Sequence, residues 1–203
     1  MQFTLERAQG WPEARLFGVD EAGRGPWAGP VTAAAICLPR GFDLAVDDSK
    51  KLTAKKRDAL FETLIALPHG IGTACVAEID RLNILQATFL AMRRAVDALA
   101  DNIGAPAHVL VDGNKLPDWP YAGQAVIGGD GLAPSIAAAS ILAKVTRDRD
   151  MAALDAQFPG YGWASNKGYG AKAHQIGLEK LGVTPHHRRS YAPIAKILRG
   201  ETA

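Results

Sequence analysis

Four carboxylates stand where acids could act together: Asp20 and Glu21, Asp112, and Asp130. Each closes a short apolar stretch and is followed within a few residues by a glycine, at Gly23, Gly113 and Gly131. If the three stretches are adjacent strands, their ends bring all four acids to one edge of a sheet. Carboxylates gathered in this way repel one another, a cost that makes sense where a divalent cation binds. Hard oxygen ligands suit Mg²⁺ or Mn²⁺ rather than zinc. Any one of these acids alone reads equally as a turn or helix-cap residue, a common place for aspartate. Four in the same setting point to a metal site.

The turn Gly23-Arg24-Gly25-Pro26 follows the first two acids directly. Its glycines permit positive φ and let backbone N–H groups approach a ligand closely. A plain tight turn is the alternative, and the neighbouring acids favour substrate contact. Cations cluster at Lys50, Lys51, Lys55, Lys56 and Arg57, at Arg147 and Arg149, and from His186 to Arg189. Net charge is only +2, from 23 basic against 21 acidic residues, so overall balance does not imply a nucleic-acid partner. One such cluster usually marks a solvated face. Several in a near-neutral chain suggest separated basic and acidic regions, as in an enzyme that binds phosphates around an acidic centre.

Two other classes of function use the same residues differently. His174, His186 and His187 could supply an acid–base pair that activates the substrate's own 2′-OH, without metal and with a cyclic phosphate as product. His186 and His187, adjacent and beside Arg188, read instead as surface residues. A non-catalytic nucleic-acid binder would rely on the basic patches alone. Four intact acids oppose it, because carboxylates weaken binding to a phosphate backbone unless metal is present.

The elements that must position these residues alternate between strand and helix patterns. Arg15 to Asp20, the small apolar run Val31 to Leu38, Gly70 to Ile79, His108 to Asp112 and Gln124 to Ile127 read as strands. Thr53 is expected to cap a helix that runs to about Leu67, with Leu60, Phe61, Leu64 and Ile65 on one face, and Pro68 ends it. Asp80 is expected to cap a second helix, in which Leu82, Leu85, Phe89, Met92, Val96 and Leu99 keep helical spacing. A long helix starts near Pro134, where a missing N–H costs little, and stops at Pro159-Gly160. Ala171 to Leu181 and Pro185 to Leu198 read as a helical extension over the core. The order is that of a layered α/β domain.

Composition places this pattern in an ordinary globular protein. The chain has 203 residues, 48% hydrophobic and 22% charged, enough for one domain or one domain with a small appendage. A chain of this length buries roughly 70% of its unfolded surface and needs no structural metal or disulfide. Cys37 and Cys75 lie in apolar, strand-like stretches without ligand spacing, and are expected to be reduced core residues of a cytosolic protein. Met1 to Trp11 lacks the apolar run of a signal peptide. No stretch reaches the roughly 20 apolar residues of a membrane span.

Six blocks together resemble the ribonuclease HII family of bacterial type. They are Gly18-Val19-Asp20-Glu21-Ala22-Gly23-Arg24-Gly25-Pro26, Asp48-Ser49-Lys50-Lys51-Leu52, Val111-Asp112-Gly113-Asn114, the run from Ser135 to Val145, Lys167-Gly168-Tyr169-Gly170, and His187-Arg188-Arg189-Ser190. They occur in the family's order and span about residues 15 to 195. Two positions depart from it: Trp27 stands where a smaller aliphatic residue is usual, and Ala171 where threonine is frequent.

The resemblance implies a ribonuclease H-like fold, a mixed central sheet flanked by helices, with the strands of Asp20 and Asp112 side by side. The expected division is a catalytic core over 1–159 and a C-terminal helical extension over 160–203. The implied activity is an endoribonuclease that cuts the RNA strand of RNA–DNA hybrids, and cuts 5′ of single ribonucleotides in duplex DNA. Two divalent ions, Mg²⁺ or Mn²⁺, would be held by Asp20, Glu21, Asp112 and Asp130, leaving 3′-hydroxyl and 5′-phosphate ends. Gly23, Arg24 and Gly25 would recognise the ribose 2′-OH and nearby phosphates, and Tyr169 would stack on the sugar beside the scissile phosphate. Lys50 and Lys51 would contact phosphates, with Ser140 and Lys144 in support. A cytoplasmic monomer with no membrane partner is expected.

Overall fold

A computed structural model describes residues 1–47, 49 and 52–201. Its strands are β1 (Leu16–Ala22), β2 (Val31–Ile36), β3 (His69–Ala74), β4 (His108–Asp112) and β5 (Gly123–Val126). They form one mixed sheet in the order β3-β2-β1-β4-β5. β1, β2 and β3 pair antiparallel, while β4 and β5 run parallel to β1. The register sets Val19 opposite Val111, so Asp20 and Asp112 follow side by side at the sheet's C-terminal edge.

Among the described residues there are eight helices: α1 (Thr4–Ala8), α2 (Ala54–Leu64), α3 (Val76–Leu82), α4 (Ile84–Ile103), α5 (Pro134–Gln157), α6 (Trp163–Asn166), α7 (Lys172–Leu181) and α8 (Ala192–Leu198). Helix α4 lays Ala87, Ala91, Met92, Ala95, Val96 and Leu99 on one face of the sheet, against Phe17, Val19, Val109 and Val111. Helix α5 covers the other face, where Ala137 to Ala143 and Val145 meet Ala34 and Ile36 of β2 and Phe61 and Leu64 of α2. The result is a layered α/β architecture, a mixed sheet between helices as expected, with α6 to α8 following it in the chain.

Two features seat α5 against β1. Glu6 of α1 is fully buried, and its Oε1 accepts from the backbone N–H (2.9 Å) and the hydroxyl (2.8 Å) of Ser135. A carboxylate there satisfies an otherwise orphaned donor at the positive end of the helix, a service that the N-cap residue Ala133 cannot perform. Gly18 permits the contact, since a Cβ would lie 2.2 Å from the Ser135 carbonyl carbon.

Thr53 caps α2 as expected, accepting from the Lys56 N–H at 3.3 Å. Other expectations are corrected. The strand over Gly70 to Ile79 stops at Ala74, and α3 begins at Val76. Glu78 accepts from the Cys75 N–H at 2.9 Å and starts a helix there, and a short apolar run cannot itself distinguish strand from helix. Asp80 therefore lies inside α3. Asn83 caps α4 instead, with Oδ1 accepting from the N–H of Leu85 (3.0 Å) and Gln86 (3.2 Å). The Asp80 carboxylate reaches across the fold to the N–H groups of Arg189 (3.0 Å) and Ser190 (2.9 Å). It holds 185–191 as a turn, so the helix expected from Pro185 begins only at Ala192. Cys75 is exposed and so is not a core residue, while Cys37 is half-buried and packs against the core. No described helix is long and apolar enough to cross a membrane.

Candidate active site

Asp20, Asp112 and Asp130 each offer a carboxylate oxygen, and these oxygens lie within 4.8 Å of one another. Parallel pairing of β1 with β4 supplies the first two. The third comes from the single 3-10 turn Gly129–Gly131 after β5, whose Gly129 N–H donates to Asp112 Oδ1 at 2.8 Å. Asp20 is 3% exposed and Asp130 8%. Burial, then the charges of Glu21, Asp112 and Asp130, push the Asp20 carboxyl well above the usual carboxylate range. Such a cluster cannot carry its full charge alone. Its oxygens and their spacing fit a hard divalent cation, which would relieve the repulsion.

Glu21 falls outside this close trio, although its carboxylate lies within hydrogen-bonding reach of Asp20. Its carboxylate meets Arg24 at 3.3 Å on the side of α4, near Leu85, Thr88 and Phe89. Burial raises its pKa, and the Arg24 charge opposes that rise. Glu21 still lines the pocket of about 260 Å³ that also contains Asp20, Asp112, Gly23, Arg24, Gly25 and Tyr169. Tyr169 is 50% exposed, and its ring forms a wall over Gly25, where a Cβ would lie 3.2 Å from Cε1. Ser140 donates to Ser49 at 2.7 Å and Lys144 pairs with Asp148 at 2.7 Å, both on the pocket's edge. Lys50 and Lys51 lie outside the described residues.

Two cations of the basic clusters are buried rather than free to meet solvent or phosphate. Arg147 is 1% exposed and Arg188 fully buried. Arg188 donates to the carbonyls of Gly23, Arg24 (2.8 Å), Gly29 (2.9 Å) and Pro30 (3.0 Å), and to the Tyr191 hydroxyl (2.9 Å). Arg147 donates to the carbonyls of Pro30 (2.9 Å), Lys167 (3.0 Å) and Ala28 (3.2 Å). Burial, and secondarily the Arg188 charge, lowers the Arg147 pKa to about 10. Gly23, at φ +95°, has no room for a side chain, since a Cβ would lie 1.9 Å from Arg147 Nε. Because a trans peptide sets N–H opposite C=O, drawing in the carbonyls of Gly23 and Arg24 turns the N–H of Arg24 and Gly25 away from the guanidinium. Sequence reasoning missed both arginines. The available signal was Arg147 at i+4 from Ala143 and i−4 from Met151, a cation on an otherwise buried helical face.

The histidines are corrected as well. Of the two read as surface residues, His187 is fully buried and His186 half-buried; His174 is fully buried too and is bonded to His187 at 3.0 Å. Neither member of that bonded pair lines the pocket.

The model of the family described as Ribonuclease HII matches residues 17–194. The chain belongs to the ribonuclease HII family. A ribonuclease HII of Sphingopyxis alaskensis is 57% identical over 183 residues, covering 90% of this chain and 91% of its own length. One of Rhodospirillum rubrum is 55% identical over 203 residues, covering 96% and 90%. Among solved structures, the ribonuclease H2 of Pyrococcus horikoshii OT3 superposes with a TM-score of 0.74 at 27% identity, over 92% of this chain and 98% of its own. As a ribonuclease HII, the protein is a metal-dependent endoribonuclease acting on RNA–DNA hybrids.

The two departures from the family's blocks now have settings. The Trp27 ring lies against Gly170, where a Cβ would meet Cζ2 at 2.1 Å. Ala171 is the N-cap of α7 and offers no side-chain oxygen to its first turn.

Proposed function

We propose that this ribonuclease HII also cuts a DNA duplex at a single embedded ribonucleotide, on its 5′ side, leaving a 3′-hydroxyl and a 5′-phosphate. The observation that carries this reading is the pocket shared by Asp20, Glu21 and Asp112 with the Gly23–Gly25 turn and Tyr169. Asp20, Asp112 and Asp130, with Glu21 beside them, would hold two divalent ions, Mg²⁺ or Mn²⁺. When bound, the pair supplies a lowered pKa for the attacking water and charge stabilisation for the leaving 3′-oxygen.

The chain's own residues do the rest. The N–H groups of Arg24 and Gly25, turned outward by Arg188, recognise the ribose 2′-OH, the group that distinguishes RNA from DNA. So short a turn reads about one ribonucleotide at a time. Tyr169 stacks on the following sugar, and a deoxyribose suits that contact because no 2′-OH intrudes. Arg24 leaves Glu21 to meet a phosphate, and Lys50 and Lys51 make further phosphate contacts. We read residues 1–159 as the catalytic core and 160–203 as the extension that brings Tyr169 to it. We also propose a cytoplasmic monomer without a membrane partner, in keeping with the near-neutral, ordinary composition.

The test uses an end-labelled duplex with one ribonucleotide, beside an all-DNA duplex and a continuous RNA–DNA hybrid, with metal and with EDTA. The expected result is one cut 5′ of the ribonucleotide, abolished by EDTA, with the all-DNA duplex intact. A protein that cuts the hybrid but leaves the single-ribonucleotide duplex untouched would refute the junction reading.

A further inference from the structure

Behind the pocket lies a second polar cluster to which neither the metal site nor the glycine turn assigns a role. His174 and His187 are enclosed by rings: Trp163 and Tyr161 lie 5.3 and 5.1 Å from His187, and Trp27 lies 5.9 Å from His174, centroid to centroid. Their hydrogen bonds leave one arrangement of protons for the neutral pair. The Thr184 N–H donates to His187 Nδ1 at 2.9 Å, so that nitrogen is bare and the proton of His187 sits on Nε2. The Trp163 indole N–H donates to His174 Nε2 at 3.1 Å, so the proton of His174 sits on Nδ1. His187 Nε2–H then donates to His174 Nε2 at 3.0 Å, and His174 Nδ1–H donates to the Tyr169 carbonyl at 2.9 Å.

Each proton has an acceptor and each bare nitrogen a donor. A further proton on His174 would face the donors of Trp163 and His187, so the arrangement requires both rings neutral. Burial lowers both pKa values accordingly.

The chain of bonds ends on the residue whose ring walls the pocket. Tyr169 is half exposed, so its ring direction depends on its backbone more than on packing. That backbone enters α7 through Ala171, which has no capping oxygen, and side chains of the first turn reach back instead. His174 bonds the Tyr169 carbonyl, and Gln175 Nε2 bonds the Gly170 carbonyl at 2.7 Å.

We propose that His174 and His187 are positioning residues: as a neutral bonded pair they fix the backbone of Tyr169 and so aim its ring at the sugar beside the cut. The inference rests on the stacking role assigned to Tyr169 above, and His174 is the member that makes the contact.

The test compares His174→Asn, His174→Gln and Tyr169→Ala, alone and combined, on the single-ribonucleotide duplex with metal. An asparagine amide nitrogen takes the place of imidazole Nδ1, whereas glutamine places its amide near Nε2. His174→Asn should stay within roughly threefold of the unaltered protein in kcat/KM. His174→Gln should lose between about tenfold and a hundredfold, the size expected when a substrate-positioning group is displaced by about an ångström. In the Tyr169→Ala background, asparagine and glutamine at 174 should be equal, because residues that act through one another are non-additive. A purely structural role would slow both backgrounds alike. Should His174→Gln fail to fold, His187→Asn carries the same comparison, since it keeps an acceptor for the Thr184 N–H and removes the donor to His174. Equal rates for Asn and Gln, or an undiminished difference in the Tyr169→Ala background, would overturn the inference. If Tyr169→Ala alone leaves the rate unchanged, the stacking role itself is wrong and the inference falls with it.

Discussion

Replacing Arg188 with lysine should separate loop geometry from metal binding. The Arg188 guanidinium serves the carbonyls of Gly23, Arg24, Gly29 and Pro30 from a fully buried position. A lysine ammonium keeps the charge, but its three donors radiate from one atom and lack the planar fork that spans these carbonyls. If lysine reaches two of the four, two acceptors lose their partner, at about 1–3 kcal/mol each. The expected cost is about 2–6 kcal/mol, or roughly 5–25 °C in melting temperature for a chain of this length. It falls toward the lower end because the Tyr191 hydroxyl still donates to the Arg24 carbonyl and Arg147 still donates to that of Pro30. The activity effect should be larger. The carbonyls of Gly23 and Arg24 set where the N–H groups of Arg24 and Gly25 point, and a displacement of about 1 Å can cost about a hundredfold. In steady-state assays at a temperature where the variant is folded, Arg188→Lys should lower kcat/KM about a hundredfold on the single-ribonucleotide duplex. The rise in melting temperature with millimolar Mn²⁺ should persist, because the groups to which Arg188 donates are backbone carbonyls and the Tyr191 hydroxyl rather than the acids of the cluster. Cleavage near the unaltered rate in a folded variant would refute the claim that this guanidinium orients the turn. A lost metal response would show instead that the acidic cluster depends on it.

Asp112→Asn should abolish cleavage yet preserve or raise the melting temperature in EDTA, because one charge leaves a crowded cluster, a relief of about 1 kcal/mol; a clear fall without metal would make Asp112 a structural residue. Acid should weaken the fold through the histidine pair. Burial, then the nearby His174, holds His187 at about 4, below its ordinary 6.5. Above pH 6.5 neither the folded nor the unfolded state binds this proton, and the stabilisation is complete. Between pH 6.5 and 4 only the unfolded state takes it up, so stability falls as pH falls, by about 3 kcal/mol at most. Urea denaturation at pH 7.5 and pH 5 should show this loss, and His187→Asn should reduce it; equal losses in both proteins would contradict the assignment.

Local pattern was enough for much of the site. Short apolar runs ending in Asp20 and Asp112 place both acids at strand ends, and β1 and β4 are indeed parallel neighbours. Asp130 follows β5 as expected and joins them. These readings succeed because backbone geometry couples sequence spacing to side-chain direction over a few residues. Glu21, adjacent to Asp20 in the same motif, is held beside the trio by Arg24, a contact that spacing along the strand does not dictate. Where the local signal is degenerate the reading failed: the run from Ala74 to Ile79 suits a strand and a helix equally. The choice fell to Glu78, which bonds the Cys75 N–H and pairs with Arg94 of α4 at 2.7 Å.

Other features were decided only by the assembled chain. Glu6 finds Ser135, Asp80 finds Arg189 and Ser190, and Arg188 finds Gly23 and Arg24 across more than a hundred residues each. Arg188 and His187 are indistinguishable in a basic string from their exposed neighbour Arg189. A buried polar group is tolerable only where its partners complete its hydrogen bonds, and those partners exist as a set only after the layers pack. Local pattern therefore located the acids that would hold the metal, while tertiary contact decided which cations and histidines would hold the loops around them.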